Sequence, residues 1–342
     1  MKTLYYRLFL VSILSSAPAV AAPWTHNLYF ENDLFADTDQ SYTNGIRLAW
    51  VSPDIDTYLY DPELPSWIRE VNYWFTPLYP DPENSKDNIH RNLVFTVGQQ
   101  MYTPEDANRA TVDPNDRPYA GWLYAGFGYH AKTQNTLNSV EVNLGIVGPA
   151  AFAQEAQDLV HKARGIDLFL GWDNQLKNEP GIQLVWEHKH RLFKQSMYGP
   201  LGYDFITHYG GSLGNVATYA NTGAEFRFGL RLPDDFGTSA LRPGGDNSAP
   251  GNFDTRLRQG WGVHAFVSLD GRFVLQNIFL DGNSYQDSHS VSKKHFVADA
   301  AFGVAGVYNK WKVSFAHVYR TKEFDTQTDA QRYGSLTVSY SY

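Results

Sequence analysis

Residues 224–232 read Ala224-Glu225-Phe226-Arg227-Phe228-Gly229-Leu230-Arg231-Leu232. Apolar and polar positions alternate with period two, which describes a β-strand with two unlike faces. The arginines decide what each face meets. In a strand that crosses a bilayer, an arginine facing lipid at the midplane costs about 2–4 kcal/mol. Arg227 and Arg231 are therefore expected to point into a polar lumen, with Phe226 and Phe228 outward. A soluble sandwich would hold the apolar face inside instead. The composition favours the membrane reading: 15% of the residues are aromatic, yet the mean hydropathy is −0.40. A polar lumen, an apolar outer band and aromatic girdles at both interfaces produce that combination.

The same alternation recurs along the chain. Leu336, Val338, Tyr340 and Tyr342 share one face, and Thr337, Ser339 and Ser341 the other. Val140, Val142, Leu144 and Ile146 alternate with Glu141, Asn143 and Gly145, and Trp311, Val313 and Phe315 with Lys312 and Ser314. Thirteen strand-like stretches can be drawn, near 24–32, 42–52, 91–102, 119–131, 138–148, 181–192, 198–209, 215–231, 259–269, 272–280, 295–308, 311–320 and 332–342. Glycines blur the pattern between Tyr198 and Arg231. Single-chain bacterial barrels have even strand numbers, so the expectation is an all-β, transmembrane antiparallel barrel of twelve strands. The terminal aromatic Tyr342 resembles the signal read by the outer-membrane assembly machinery.

Residues 1–21 read as a signal peptide: Lys2 and Arg7, a short apolar run Leu8 to Ile13, then Ala19-Val20-Ala21 before the cut. Residues 22–342 are then one barrel domain in the bacterial outer membrane. The chain has no cysteine and a formal net charge of −8. An exported chain without disulfides leans towards a bacterial envelope, and the missing basic clusters argue against nucleic acid as a partner. Nothing points beyond a monomer.

Three connections exceed a hairpin. Residues 53–88 are rich in Pro, Asp and aromatics, and 231–258 are Gly/Pro/Asp-rich and read as mobile. Residues 148–180 contain one short helix, Ala150 to Arg164, with Pro149 at its first turn and Gly165 at the C′ position. Phe152, Ala156, Leu159, Val160 and Ala163 form its apolar side, while Gln154, Gln157 and His161 line up on another.

Two places could carry chemistry. Glu31-Asn32-Asp33, followed by Asp37 and Asp39 and then Ser41 to Gly45, gathers hard oxygen donors where the first strand ends. Calcium prefers such donors, and an acidic, solvated hairpin loop would look the same. His161 is either a surface residue of the helix or a general base near neutral pKa, with Gln157 one turn before it and Asp167 just beyond the helix. Gly210-Gly211-Ser212-Leu213-Gly214 matches a nucleophile elbow only formally, since that elbow needs a helix after it. His188 and His190 share a strand face without an obvious third ligand and read as barrel residues. Arg117, at a loop-to-strand entry, is expected to be free for a carboxylate or phosphate.

Taken in order, Glu31-Asn32-Asp33, Tyr42-Thr43-Asn44-Gly45, Asp116-Arg117-Pro118-Tyr119-Ala120-Gly121, Gly148-Pro149, Gln154, His161 and Gly171-Trp172 with Gln175-Leu176, Asn178-Glu179-Pro180-Gly181 resemble the outer-membrane lipid A 3′-O-deacylase family. The likeness runs from the mature N-terminus to about residue 181. It implies a twelve-stranded barrel, and calcium-dependent removal of the 3′-linked acyloxyacyl group of lipid A (or lipopolysaccharide) among the outer-membrane lipids. It also implies roles: His161 as catalytic histidine, Thr43 as the hydroxyl residue of the second strand, and Asn32 at both the oxyanion and the metal. Asp33 would be a Ca²⁺ ligand, and Asp167, where the family carries a glutamate, another. Asn108 or Arg109 stands nearest to a family lysine. Two other readings fit a barrel of this kind, a phospholipase and a non-enzymatic porin-like or structural barrel.

Overall fold

The computed structural model describes residues 24–33, 41–55, 66, 70, 73, 89–238, 250, 254 and 260–342, with the side chains of 41–43 left out. The expected signal peptide, the acidic residues Asp37 and Asp39, and most of the 53–88 connection lie outside the described residues. The strands are β1 (Thr25–Asn32), β2 (Ser41–Val51), β3 (His90–Thr103), β4 (Ala120–Lys132), β5 (Thr136–Val147) and β6 (Glu179–Tyr198). They continue with β7 (Leu201–Gly214), β8 (Ala217–Leu230), β9 (Trp261–Asn277), β10 (Phe296–Tyr308), β11 (Trp311–Arg320) and β12 (Gln331–Ser341). Each pairs antiparallel with its neighbours, and β1 closes on β12, so the sheet is a closed barrel without edges. The stretches 259–269 and 272–280 are one strand, β9, and thirteen becomes twelve.

The faces follow the arginine reasoning. On β8, Phe226 and Phe228 are exposed while Glu225 and Arg227 are buried. On β12, Thr337, Ser339 and Ser341 are buried and their apolar neighbours lie outward. Arg231 departs from the expectation. It follows the end of β8 with a positive φ of 51° and lays its guanidinium over the Trp261 ring at 5.0 Å, outside the lumen. Trp261, Tyr308 and Trp311 with Tyr340 and Tyr342 make an aromatic girdle at the end of the barrel where β1 begins and β12 ends.

The lumen is packed with paired charge. Arg227 forks onto Asp204, with Nε to Oδ1 at 2.8 Å, and also reaches Asp235 at 2.5 Å. Arg47 donates to Glu141 at 2.8 Å, and Arg320 to Asp299 at 2.8 Å. The connection read as mobile folds back inside, at least over its first residues. Leu232, Asp235, Phe236 and Thr238 are buried. Lys312 donates to Asp235 at 2.5 Å, and the Thr238 amide to Glu225 at 2.9 Å. Towards the other end, Tyr102, Trp122, Tyr124, Leu176, Phe279 and Tyr333 join in an apolar plug. Among the described residues the interior is largely filled, leaving a cavity of about 90 Å³ lined by Glu31, Gln100, Tyr102, Gln183 and Arg320 among others.

Candidate active site

Four strands, β1 to β4, set out one row of positions on the outer wall. Asn32 pairs with Asn44, Asn44 with Met101, and Met101 with Gly121. Asn32 has the parity of His26, Leu28 and Phe30, which face outward, yet it is only 5% exposed. Asp33, where the strand ends, is 1% exposed. The register between β2 and β3 shifts between Tyr42 and Asn44, so Thr43 is the extra residue of a β-bulge beside this row. Bulges leave their extra residue outside the ladder and often stand next to active sites.

The row is roofed by the loop helix. Pro149–Ala151 form a 3-10 turn, Phe152 breaks it with φ 56°, and α1 runs Ala153–Arg164. Gly121 is the seat. A Cβ there would lie 2.5 Å from the Ala153 Cβ, so only glycine lets the helix down onto β4. Ala153 packs with Met101, Tyr119, Phe169 and Trp172 in a cluster separate from the plug in the lumen, and Gln99 donates to the Ala151 carbonyl at 2.6 Å.

The polarity of α1 is inverted. Ala153, Gln157 and His161, at four-residue steps, are buried against the wall. Phe152, Leu159 and Val160 are exposed, Leu159 by 71%. A soluble helix would bury the second set; on a wall bathed in acyl chains the apolar side belongs outside.

Burial gives His161 a defined chemistry. Gly165, at φ 69°, ends the helix and donates to the His161 carbonyl, turning the chain so that Asp167 comes back to the ring. His161 Nδ1 then donates to the Asp167 carbonyl at 2.7 Å. A carbonyl only accepts, so Nδ1 carries the hydrogen of this bond, and Nε2 is the ring nitrogen left for proton transfer. The Asp167 side chain itself is exposed. Phe169 meets the imidazole edge-on at 5.6 Å, and Tyr119 contacts both Phe169 and Trp172. Burial pushes the Tyr119 phenol up to about 12, so it stays neutral. Trp172 Nε1 donates to Gln157 Oε1 at 2.7 Å, whereas Gln157 Nε2 is buried with no protein partner among the described residues.

Of the residues singled out from sequence, Asn32, Asp33 and Thr43 come together at the ends of β1 and β2. His161 lies under the helix that roofs the neighbouring β3 and β4. The aromatic box of Tyr119, Phe169 and Trp172 was not foreseen, although Tyr119 and Trp172 stand within the family-like stretches. Arg117 is not free: it is 1% exposed and donates to Glu323 at 2.6 Å. Arg109 is tied to Asp113 within its own loop at 2.5 Å. Ser212 lies within β7, accepting from Gln183 at 2.9 Å, so no elbow forms there. His188 accompanies Asn138 and Tyr209 in the barrel wall.

Among the described residues no three His, Cys, Asp or Glu side chains gather as a metal cluster. Calcium, however, takes amide, backbone carbonyl and water oxygens beside carboxylates, so it needs no cluster of three acidic side chains, and the adjacent, buried Asn32 amide and Asp33 carboxylate supply oxygen donors of that kind.

A family model described as "Outer membrane protein LpxR" matches residues 7–342. Among solved structures, LpxR from Salmonella typhimurium aligns with a TM-score of 0.70 at 19% identity, covering 92% of this chain and 99% of that one. The β-domain of the Bordetella autotransporter BrkA aligns at 0.44 and 10% identity, over 94% and 98% of the two chains. A comparison with curated protein sequences gave no match.

Proposed function

This chain belongs to the LpxR family of outer-membrane β-barrel lipid A 3′-O-deacylases, and we propose that it removes the 3′-linked acyloxyacyl group of lipid A at the wall beneath α1. The observation that carries this reading is the state of His161, a buried histidine whose Nδ1 proton is committed to the Asp167 carbonyl. Fixing one ring nitrogen this way leaves the other as a general base of defined orientation.

In the proposed reaction His161 Nε2 takes a proton from water as the water oxygen attacks the ester carbonyl carbon. The carbon–oxygen bond to the sugar then breaks, and His161 returns the proton to the departing sugar oxygen. Water is consumed and a fatty acid and an alcohol are released. Asn32 and Asp33 would hold Ca²⁺, which when bound polarises the ester carbonyl. The Asn32 amide and the unpartnered Gln157 Nε2–H are donors suited to the developing oxyanion. Thr43, at the bulge, orients the water or the imidazole; acting itself as nucleophile is the variant of this role. Asp167 contributes through its carbonyl. Among the described residues the paired charges and the apolar plug that cross the lumen speak against the porin-like alternative.

The test is the mass of lipid A from cells expressing this protein, beside cells expressing His161→Gln. Loss of the mass of one acyloxyacyl group, abolished in the variant and by a calcium chelator, is expected. Lipid A of unchanged mass with the intact protein refutes the reading, and a glycerophospholipid cleaved in its place would identify a phospholipase.

A further inference from the structure

On the opposite wall, six strands from β3 in the ring of twelve, the lipid-facing surface is notched rather than smooth. A recess of about 770 Å³ opens there over β8, β9 and β10. Register builds it. Thr222, Gly271 and Ala298 stand side by side as a row of small residues, and Phe273 pairs with Phe296 two positions nearer the loop end. A Cβ placed on Gly271 would find only the Thr222 carbonyl oxygen, at 3.8 Å, so the space is empty. Phe273 and Phe296, ring centroids 5.0 Å apart, form its upper wall.

Just past the strand ends, on the same rim, stand Lys294 and Lys322. Lys294 pairs with Asp325 at 2.9 Å, a carboxylate 63% exposed and therefore a weak competitor. Lys322 has no ion pair among the described residues. Two cations at headgroup level above an apolar notch at acyl level match an anionic lipid in both halves, charge above and chain below.

We propose that this recess holds a second molecule of phosphorylated lipid A, bound without turnover. The choice of lipid rests on the deacylase reading, which puts the substrate in the leaflet at this end of the barrel. The phosphates meet Lys294 and Lys322, from two separate loops, and one acyl chain descends past the phenylalanines into the notch.

The full-length protein carrying His161→Gln, so that bound lipid is not consumed, is titrated with synthetic bisphosphorylated lipid A and followed by native mass spectrometry. Two bound copies are expected. Lys294→Glu with Lys322→Glu, and separately Gly271→Leu, which fills open space, should each weaken one copy by about tenfold or more. In protein with His161 intact the same substitutions should leave the rate at saturating lipid A unchanged. An unaltered binding count in both variants overturns the proposal. So does an equal loss for lipid A without phosphates, or equal occupancy by phosphatidylglycerol. Because copies are counted in a non-hydrolysing protein, a failed deacylase reading and an empty recess give different results.

Discussion

Replacing Gly121 with alanine adds one methyl group to the outer wall, at the point where α1 rests. The new Cβ would lie 2.5 Å from the Ala153 Cβ and 3.1 Å from the Ala151 Cβ. Carbons in contact sit about 3.5–4.0 Å apart, and both neighbours are fixed to backbone and cannot swing aside. The start of the helix must therefore lift by roughly 1 Å. Ala153 and His161 are eight residues apart on one face of a continuous helix, so the shift is passed to the imidazole as a rigid movement. Displacement of about 1 Å in a catalytic group costs on the order of 10²-fold in rate. The assay is the initial rate of acyl release from lipid A by purified protein, followed by mass spectrometry, beside thermal unfolding of the barrel on gels. The rate should fall by about 10²-fold while the barrel unfolds at its usual temperature, since Gly121 faces away from the lumen. Adding Ala153→Gly removes the colliding methyl and should restore most of the rate, although glycine in a helix costs up to about 1 kcal/mol. A fully active Gly121→Ala, or a double variant no better than the single one, refutes the seating of the helix as the device that positions His161.

Other expectations follow from the same geometry. His161→Gln should lower purified deacylase activity by about 10²-fold or more, with unchanged heat-modifiability on gels; retained activity would remove the histidine from the mechanism. Trp172→Phe strands the buried Gln157 amide oxygen, a loss of about 1–3 kcal/mol, read as faster hydrogen exchange across residues 153–164 with the strands unaffected. Burial raises the Glu323 carboxyl, but the Arg117 and Arg320 guanidiniums outweigh it and hold the group below the usual carboxylate range. Its folded pKa is thus lower than its unfolded one. The stabilisation is complete above the unfolded value, about 4.3, and is lost as pH falls through the folded value. Unfolding temperature should drop below about pH 4, and Glu323→Gln should be less stable at neutral pH with a flatter acid limb. Leu159→Asp, on the exposed apolar side of α1, should impair turnover of lipid A in vesicles more than in detergent micelles.

The barrel was legible because its two faces meet different solvents, and a period of two records that directly. It failed to read at Asp270-Gly271-Arg272, which looks like a turn and splits β9 in two. Those residues suit a strand in this barrel: Asp270 pairs with His208 inside at 2.7 Å, Arg272 with Asp299, and Gly271 floors an outer recess. Charge in the lumen replaces the apolar core on which strand recognition usually depends. Arg117 misled for the same reason, since a buried ion pair with Glu323, two hundred and six positions away, leaves no local trace. At the site, the oxygen donors and His161 could be picked out by type and order. That Asp167 contributes a carbonyl could not, because a sequence names side chains and this bond uses backbone delivered by the turn at Gly165.

The roof over His161 rests on two strands, Met101 from β3 and Gly121 from β4, while Asn32 belongs to β1, the strand that closes against β12. The closed ring from β1 to β12 holds the two foundations in one sheet. With the proposed site, catalytic competence would thus arrive last, with the seam shut and the inverted helix resting in lipid, and a chain in transit to its membrane would be a hydrolase without a working site. Onset of deacylation would report completed insertion, a built-in safeguard for the lipids passed along the way.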